Sequence, residues 1–265
     1  MDCKNCNTSL KETINFCPLC GAKLIRNRLT LKNIWSEINE QFISIDNKFF
    51  KTFIHLFTKP ELVINGFIDG TRKKYINVIQ YFAISLTLVG IQVFLMNTFF
   101  SEDMATALDF FKPLEEASKT KGNTFSTYPL GSFEEINRYQ SIIYIITVPL
   151  YTLATWLVYL VIKPKKRYNF TEHLVLNLYY NAQVVIITAV VSILFLCFGF
   201  NYLLISSFVT LLIFIYFFYV LKRVFETSFW DTVLHFLLVM ITFGIILIIV
   251  SVILIMITIL VSNVM

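Results

Sequence analysis

The sequence predicts an all-α polytopic membrane protein, with five transmembrane helices preceded by a small N-terminal zinc ribbon and an amphipathic interfacial helix. Of the 265 residues, 57% are hydrophobic and 16% are aromatic, whereas a soluble domain is about half apolar. The apolar residues are concentrated in long blocks, as in proteins that cross a bilayer. Two closely spaced pairs of cysteines precede these blocks.

Five apolar blocks are long enough to be membrane spans. A helix of about 20 residues, rising about 1.5 Å per residue, crosses about 30 Å of hydrocarbon. Helices are expected because backbone groups in lipid must pair within the protein. The last block would be about 43 Å long as one helix, so it must tilt, kink or protrude. The predicted spans are 78–100, 141–162, 174–200, 203–221 and 233–261.

The distribution of Lys and Arg predicts the orientation of the spans. Residues 1–76 hold twelve of these basic residues, and residues 163–167 hold four. The segment 101–140 also holds four, but against seven Asp and Glu. Basic residues favour the cytosolic side, so we expect a cytosolic N-terminus and an external C-terminus in the plasma membrane. No secretory leader is expected, because the first long apolar stretch begins near Val78.

The four N-terminal cysteines predict a metal site. Cys3 and Cys6 form one C-x-x-C pair, and Cys17 and Cys20 form another. Two such pairs direct four sulfurs at one tetrahedral centre, and Gly21 suits the tight turn after the last ligand. Zinc is the favoured metal, with iron or a redox dithiol pair as alternatives. A closed shell of four sulfurs leaves no position for a reacting water, so the zinc is expected to be structural.

The predicted domains are the zinc ribbon (1–26), a cytosolic juxtamembrane segment (27–76) and the five-helix transmembrane domain (77–265). Apolar residues recur at helical intervals from Leu29 to Phe57, with charged residues between them. This pattern predicts an amphipathic helix that is too charged to cross a membrane. It either lies among the lipid headgroups or packs on the protein's own cytosolic face.

Two basic clusters flank predicted spans. They are interpreted first as orientation anchors and second as sites for anionic lipid headgroups. The formal net charge of +5, concentrated near membrane ends, favours lipid over nucleic acid as a partner. The clustered residues are Arg72, Lys73, Lys74, Lys163, Lys165, Lys166 and Arg167.

The start of the third span is unusually polar. Over Glu172–Gln183 the polar residues cover about half of the helix surface, and such a face cannot meet lipid without a large free-energy cost. Asp231 and His235 lie four residues apart on one face of the fifth span. The pattern fits hydrogen bonds between helices, a polar cavity or a metal site. The candidate cavity residues are Glu172, His173, Asn177, Asn181, Gln183, Asp231 and His235.

The sequence favours a non-enzymatic function. It contains no nucleophile elbow, phosphate-binding loop, kinase motif set or H-E-x-x-H motif. The leading interpretation is a membrane protein whose cytosolic zinc ribbon recruits a protein partner. The alternative is a transporter, channel or lipid-handling component that uses a polar cavity lined by the third and fifth spans.

Three short motifs resemble a known family. They are Lys59-Pro60, Gly70-x-Arg72-Lys73-x-Tyr75 at the entry to the first span, and Glu172-His173 at the start of the third. Together with the cysteine pairs they resemble the domain of unknown function family 3667, whose bacterial members look like zinc ribbons fused to several spans. The resemblance implies a bacterial inner-membrane protein and no particular activity.

Overall fold

The computed structural model describes residues 2–11, 13–22, 30, 48–100, 139–162 and 166–264. The chain forms two compact units, Met1–Asp46 and Asn47–Met265. The first contains the four cysteines and an isolated antiparallel bridge between Asp2 and Ser9. The second is a bundle of helices.

Seven helical segments make up the described part of the bundle. The first covers residues 48–58; in the rest of the predicted helix over 29–57, all residues except Thr30 lie outside the described residues. The segments are α1 (48–58), α2 (Pro60–Ile68), α3 (Val78–Phe99), α4 (Gln140–Ile162), α5 (Phe170–Cys197), α6 (Tyr202–Phe225) and α7 (Phe229–Val264).

The helices α3 to α7 are each long and apolar enough to cross a membrane. The chain is therefore a multi-pass membrane protein, and the predicted fold class is confirmed. Helix α7 runs for 36 residues, which corresponds to about 54 Å. A helix of that length exceeds the thickness of the hydrocarbon core.

Local hydrogen bonds fix where several helices begin and end. Asn77 caps α3 by accepting a hydrogen bond from the backbone N–H of Ile79 at 3.0 Å. Asn169 and Glu172 form a capping box at the start of α5. After α2 the chain turns at Gly70, whose φ of 98° lies in the region that glycine adopts without a Cβ penalty.

Helix α5 lies at the centre of the bundle. It contacts α2, α3, α4 and α6. Half of its most apolar stretch is buried in the protein, compared with 11% of that of α7. We therefore expect α7 to present most of its surface to lipid, because a helix with an apolar surface all round can face either core or lipid.

Helix α5 begins well before its parallel neighbour α3. Tyr81, the fourth residue of α3, donates a hydrogen bond to Gln183, the fourteenth residue of α5. At about 1.5 Å per residue, α5 therefore starts about 15 Å before α3. The segment formed by α1, α2 and the following loop to Asn77 packs against this early part of α5, and we call it the cap segment.

One face of the cap segment is buried in the bundle. Thr52 and Leu56 of α1 and Val63 and Ile64 of α2 are fully buried. For residues 48–58, this packing fits the alternative in which the amphipathic region packs on the protein itself. Contact of the same region with lipid headgroups stays a prediction. Residues 31–47, on which the rest of that expectation depends, lie outside the described residues.

Candidate metal centre and polar face of the bundle

The four cysteines form one cluster of sulfurs. All four Sγ atoms lie within 4.8 Å of one another. The sulfurs pair across the two motifs, with 3.6 Å from Cys3 to Cys20 and 3.6 Å from Cys6 to Cys17. Four thiolates about 2.3 Å from a tetrahedral zinc are about 3.8 Å apart. The arrangement therefore fits a single metal ion.

The two C-x-x-C motifs adopt the same backbone turn. In the first motif, the N–H of Cys3 donates to Thr8 O at 2.9 Å, and the N–H of Asn7 donates to Cys3 O at 2.8 Å. The second repeats both bonds, from Cys17 to Ala22 O and from Gly21 to Cys17 O. The residue after each second cysteine is left-handed, with φ 58° at Asn7 and 71° at Gly21.

Asn7 is therefore the structural equivalent of Gly21, and sequence analysis overlooked it. The signal was present, because Asn7 follows Cys6 as Gly21 follows Cys20. Asparagine is among the few non-glycine residues that tolerate this backbone conformation. The two turns direct their sulfurs at a common centre.

Hydrogen bonds lower the pKa of two of the four thiols, Cys6 and Cys20. Donors from Asn5 and from the backbone of Ala22 lower the pKa of Cys20 to about 6. A bond with Thr8, whose Oγ1 lies 3.2 Å from the sulfur, holds the pKa of Cys6 below its usual value. Four neighbouring thiolates repel one another, so ionisation of the whole set requires a divalent cation.

The polar half of α5 faces protein. Tyr179 donates to Ile76 O at 2.8 Å, and the side-chain amide of Gln183 donates to Phe53 O at 3.3 Å. Both acceptors belong to the cap segment. These polar residues therefore form hydrogen bonds between α5 and the cap segment. Such bonds between helices are expected of polar groups in a membrane bundle.

Asn177 and Asn181 of α5 do not bond to the cap segment but make the following hydrogen bonds. Asn177 is fully buried and donates to Thr155 Oγ1 of α4 and to His173 O, both at 2.9 Å. Asn181 is half-buried and donates to Asn177 O at 2.8 Å. Asn177 therefore connects α5 to α4.

The structure brings the two predicted histidines to one tyrosine. The ring centroid of Tyr159 on α4 lies 5.5 Å from that of His173 and 5.1 Å from that of His235. His173 is fully buried, and His235 is 4% exposed. Sequence analysis did not single out Tyr159, because a lone tyrosine in an apolar span carries no pairing signal.

The two carboxylates of the predicted cavity act at helix ends. Glu172 accepts a hydrogen bond from the N–H of Asn169 at 2.7 Å within the capping box of α5. Asp231 accepts one from Ser228 Oγ at 2.7 Å at the start of α7. Among the described residues, the cysteines are the one group of three or more Cys, His, Asp or Glu side chains placed to hold a metal.

The basic clusters are only partly described. Arg72, Lys73 and Lys74 are exposed, and the Arg72 guanidinium lies 4.9 Å from the ring centroid of Phe67. Lys166 forms an exposed ion pair with Glu226, which lowers the pKa of that carboxyl. Arg167 is exposed. Lys163 and Lys165 lie outside the described residues, so the lipid role of both clusters stays a prediction.

An apolar groove of about 380 Å³ lies between α5 and α6, closed at one side by α1. It contains no charged side chain, and neither His173 nor His235 lines it. It is therefore separate from the predicted polar cavity. Its lining residues are Phe57, Val184, Ile187, Val191, Val209, Leu212, Ile213, Ile215, Tyr216 and Tyr219.

Comparison with known proteins gives one family match. No curated protein and no solved structure matches this chain. The matching segment covers α1, α2, the loop after them and the first half of α3, and it contains the Lys59-Pro60 and Gly70-x-Arg72-Lys73-x-Tyr75 motifs. Over residues 46–90 the chain matches the family described as Protein of unknown function (DUF3667), which confirms the resemblance for that segment.

Proposed function

We propose that this protein is anchored in a bacterial inner membrane with its N-terminus in the cytosol, and that its four-cysteine module binds one structural Zn²⁺ and recruits a protein partner. The observation that carries the proposal is the sulfur cluster, with Sγ–Sγ distances of 3.6 Å across the two motifs. A cytosolic location supplies the reducing conditions that keep four thiols available.

Zinc suits this donor set better than other metals. Thiolates favour zinc, copper(I) and iron–sulfur centres, and zinc accepts four sulfurs in a tetrahedron without redox chemistry. Four protein ligands complete the coordination shell, so this centre supports folding and leaves no site for a substrate. Metal binding supplies the stability that so short a module cannot gain from its own core.

Two large apolar side chains on the module support partner recruitment. Phe16 is 59% exposed and Leu19 is 73% exposed. They flank Cys17 in the second cysteine turn, so the metal fixes the backbone that presents them. Rigid apolar anchors of this kind contribute disproportionately to protein–protein binding.

The test uses the full-length protein in native membranes. The variant with Ser at Cys3, Cys6, Cys17 and Cys20 should lose one bound zinc per chain, measured by elemental analysis after purification. It should also lose the proteins that crosslink to the wild type. The double variant F16S/L19S should keep its zinc and reduce crosslinked partner at least fivefold.

The matched control is K4Q/K11Q, which changes two exposed residues of the same module. It should keep both the zinc and the partner. Recruitment by the module is refuted when the four-serine variant inserts normally and crosslinks to an unchanged set of proteins. A zinc content below half an ion per wild-type chain refutes the metal assignment.

A further inference from the structure

Five buried polar atoms without a protein hydrogen-bond partner lie where α4, α5 and α7 meet. Elsewhere in the described part of the chain, Thr188 Oγ1 is the only other such atom. The residues that carry the five atoms are at most 4% exposed. The atoms are Tyr159 OH, His173 Nδ1, His173 Nε2, Asn177 Oδ1 and His235 Nδ1.

These atoms belong to one compact group of side chains. The ring centroid of Tyr159 lies 5.5 Å from that of His173 and 5.1 Å from that of His235. Asn177 lies one helical turn after His173 and bonds to its carbonyl oxygen. Phe225 stacks on Tyr159 at 3.9 Å between ring centroids and shields the group on another side.

Unpartnered polar atoms are rare inside native proteins, because burial removes their bonds to water without replacing them. A cluster of them indicates a bound species that supplies the bonds. The chemistry of the atoms decides which species fits. Asn177 already uses its amide nitrogen as a donor to Thr155 and to His173 O, so its Oδ1 needs a donor.

The remaining groups require both donors and acceptors. A tyrosine hydroxyl donates and accepts, and a neutral imidazole has one nitrogen of each kind. A cation would leave the donors of the group unsatisfied, and an anion would leave Asn177 Oδ1 unsatisfied. Water both donates and accepts, and a buried water typically makes about three hydrogen bonds.

We propose that Tyr159, His173, Asn177 and His235 form a binding site for ordered water inside the bundle. The water bridges α4, α5 and α7 by hydrogen bonds to the unpartnered atoms of these four side chains. The site goes beyond the recruitment function.

The first test is radiolytic hydroxyl-radical labelling of the purified protein in nanodiscs, read by mass spectrometry. Radicals formed from a bound water modify the adjacent side chain even when it is buried. Tyr159, which is 4% exposed, should be labelled at least threefold faster than Tyr180, which is 5% exposed but donates its hydroxyl to Ile213 O at 3.4 Å. A smaller ratio would overturn the proposal.

The second test replaces the tyrosine hydroxyl by Tyr159→Phe. If water bonds to this hydroxyl, the variant loses that bond, and its thermal unfolding midpoint should fall by several degrees. If no water is bound there, the change removes an unsatisfied group, and the midpoint should stay constant or rise. The rate of hydroxyl-radical labelling of His173 should also fall at least twofold in the variant. An unchanged labelling rate at His173 counts against a water shared by the two side chains.

Discussion

The pKa of His55, in the cap segment, is set by the residues around it. Its Nδ1 lies 2.8 Å from Tyr75 OH, which ties α1 to the loop before α3. Partial burial and the positive charges of Lys51, Lys74 and Lys59 lower the pKa of His55. The folded protein therefore binds a proton at His55 less readily than the unfolded chain does, whose histidine pKa is about 6.5.

The stability of the fold should therefore fall on mild acidification. Between pH 7 and the lowered pKa of His55, the unfolded state binds more protons than the folded state, so its free energy falls relative to the folded one. We expect the unfolding midpoint to drop across this range and to drop less in the variant His55→Asn. Thermal scans of both proteins from pH 7.5 to 5 measure this difference, and parallel curves would contradict it.

At the scale of the element, α1 is held in place by backbone and side-chain bonds together. Thr52 accepts a hydrogen bond from the buried N–H of Ile76 at 3.1 Å and donates one to Lys48 O at 2.7 Å. Tyr216 and Tyr219 of α6 donate to Leu56 O and Thr58 O at the end of α1. These bonds connect α1 to the loop before α3 and to α6.

Replacing Thr52 with Val should loosen this connection. The change keeps the shape but leaves the Ile76 N–H buried without an acceptor, at a cost of about 1–3 kcal/mol. The matched control is Thr58→Val, because Thr58 is exposed and its hydroxyl bonds only within α1. The control should change stability by less than about 0.5 kcal/mol. Equal unfolding midpoints for the two variants would show that the Thr52 bond contributes nothing.

The ion pair between α2 and α6 is a weaker connection. The Arg223 Nε donates to Glu61 Oε2 at 3.1 Å, and its Nη2 donates to the other carboxylate oxygen. This bidentate geometry is favourable, but the pair is partly exposed, and exposed pairs contribute little to stability. The buried hydrogen bonds of the cap segment are therefore expected to matter more.

At the scale of the whole molecule, the distribution of Lys and Arg predicts a cytosolic N-terminus and an external C-terminus. A fluorescent protein that matures only in the cytosol, fused to the N-terminus, should fluoresce. The same fusion at the C-terminus should be dark, while a phosphatase that needs an oxidising exterior should be active there. The opposite pattern would place the cysteines in the oxidising compartment and remove the basis for partner recruitment in the cytosol.

Hydropathy located the five long helices of the bundle but missed the first turns of α5 and α7. Helix α5 begins at Phe170 and α7 at Phe229, each four residues before the predicted span. In both cases the extra turn carries a carboxylate that is hydrogen-bonded to the residue before the helix, with Glu172 bonded to Asn169 and Asp231 to Ser228. A membrane scale counts such residues as outside the span, whereas capping makes them part of the helix.

By itself, the sequence determined five apolar helices and a four-sulfur cluster, because both depend on short-range patterns: the length of an apolar run and the spacing of C-x-x-C. Only the tertiary structure decided that the polar face of α5 meets the cap segment and that His173 and His235 converge on Tyr159. The periodicity of a helix shows which residues share a face, but which neighbour that face meets depends on packing between segments far apart in the chain.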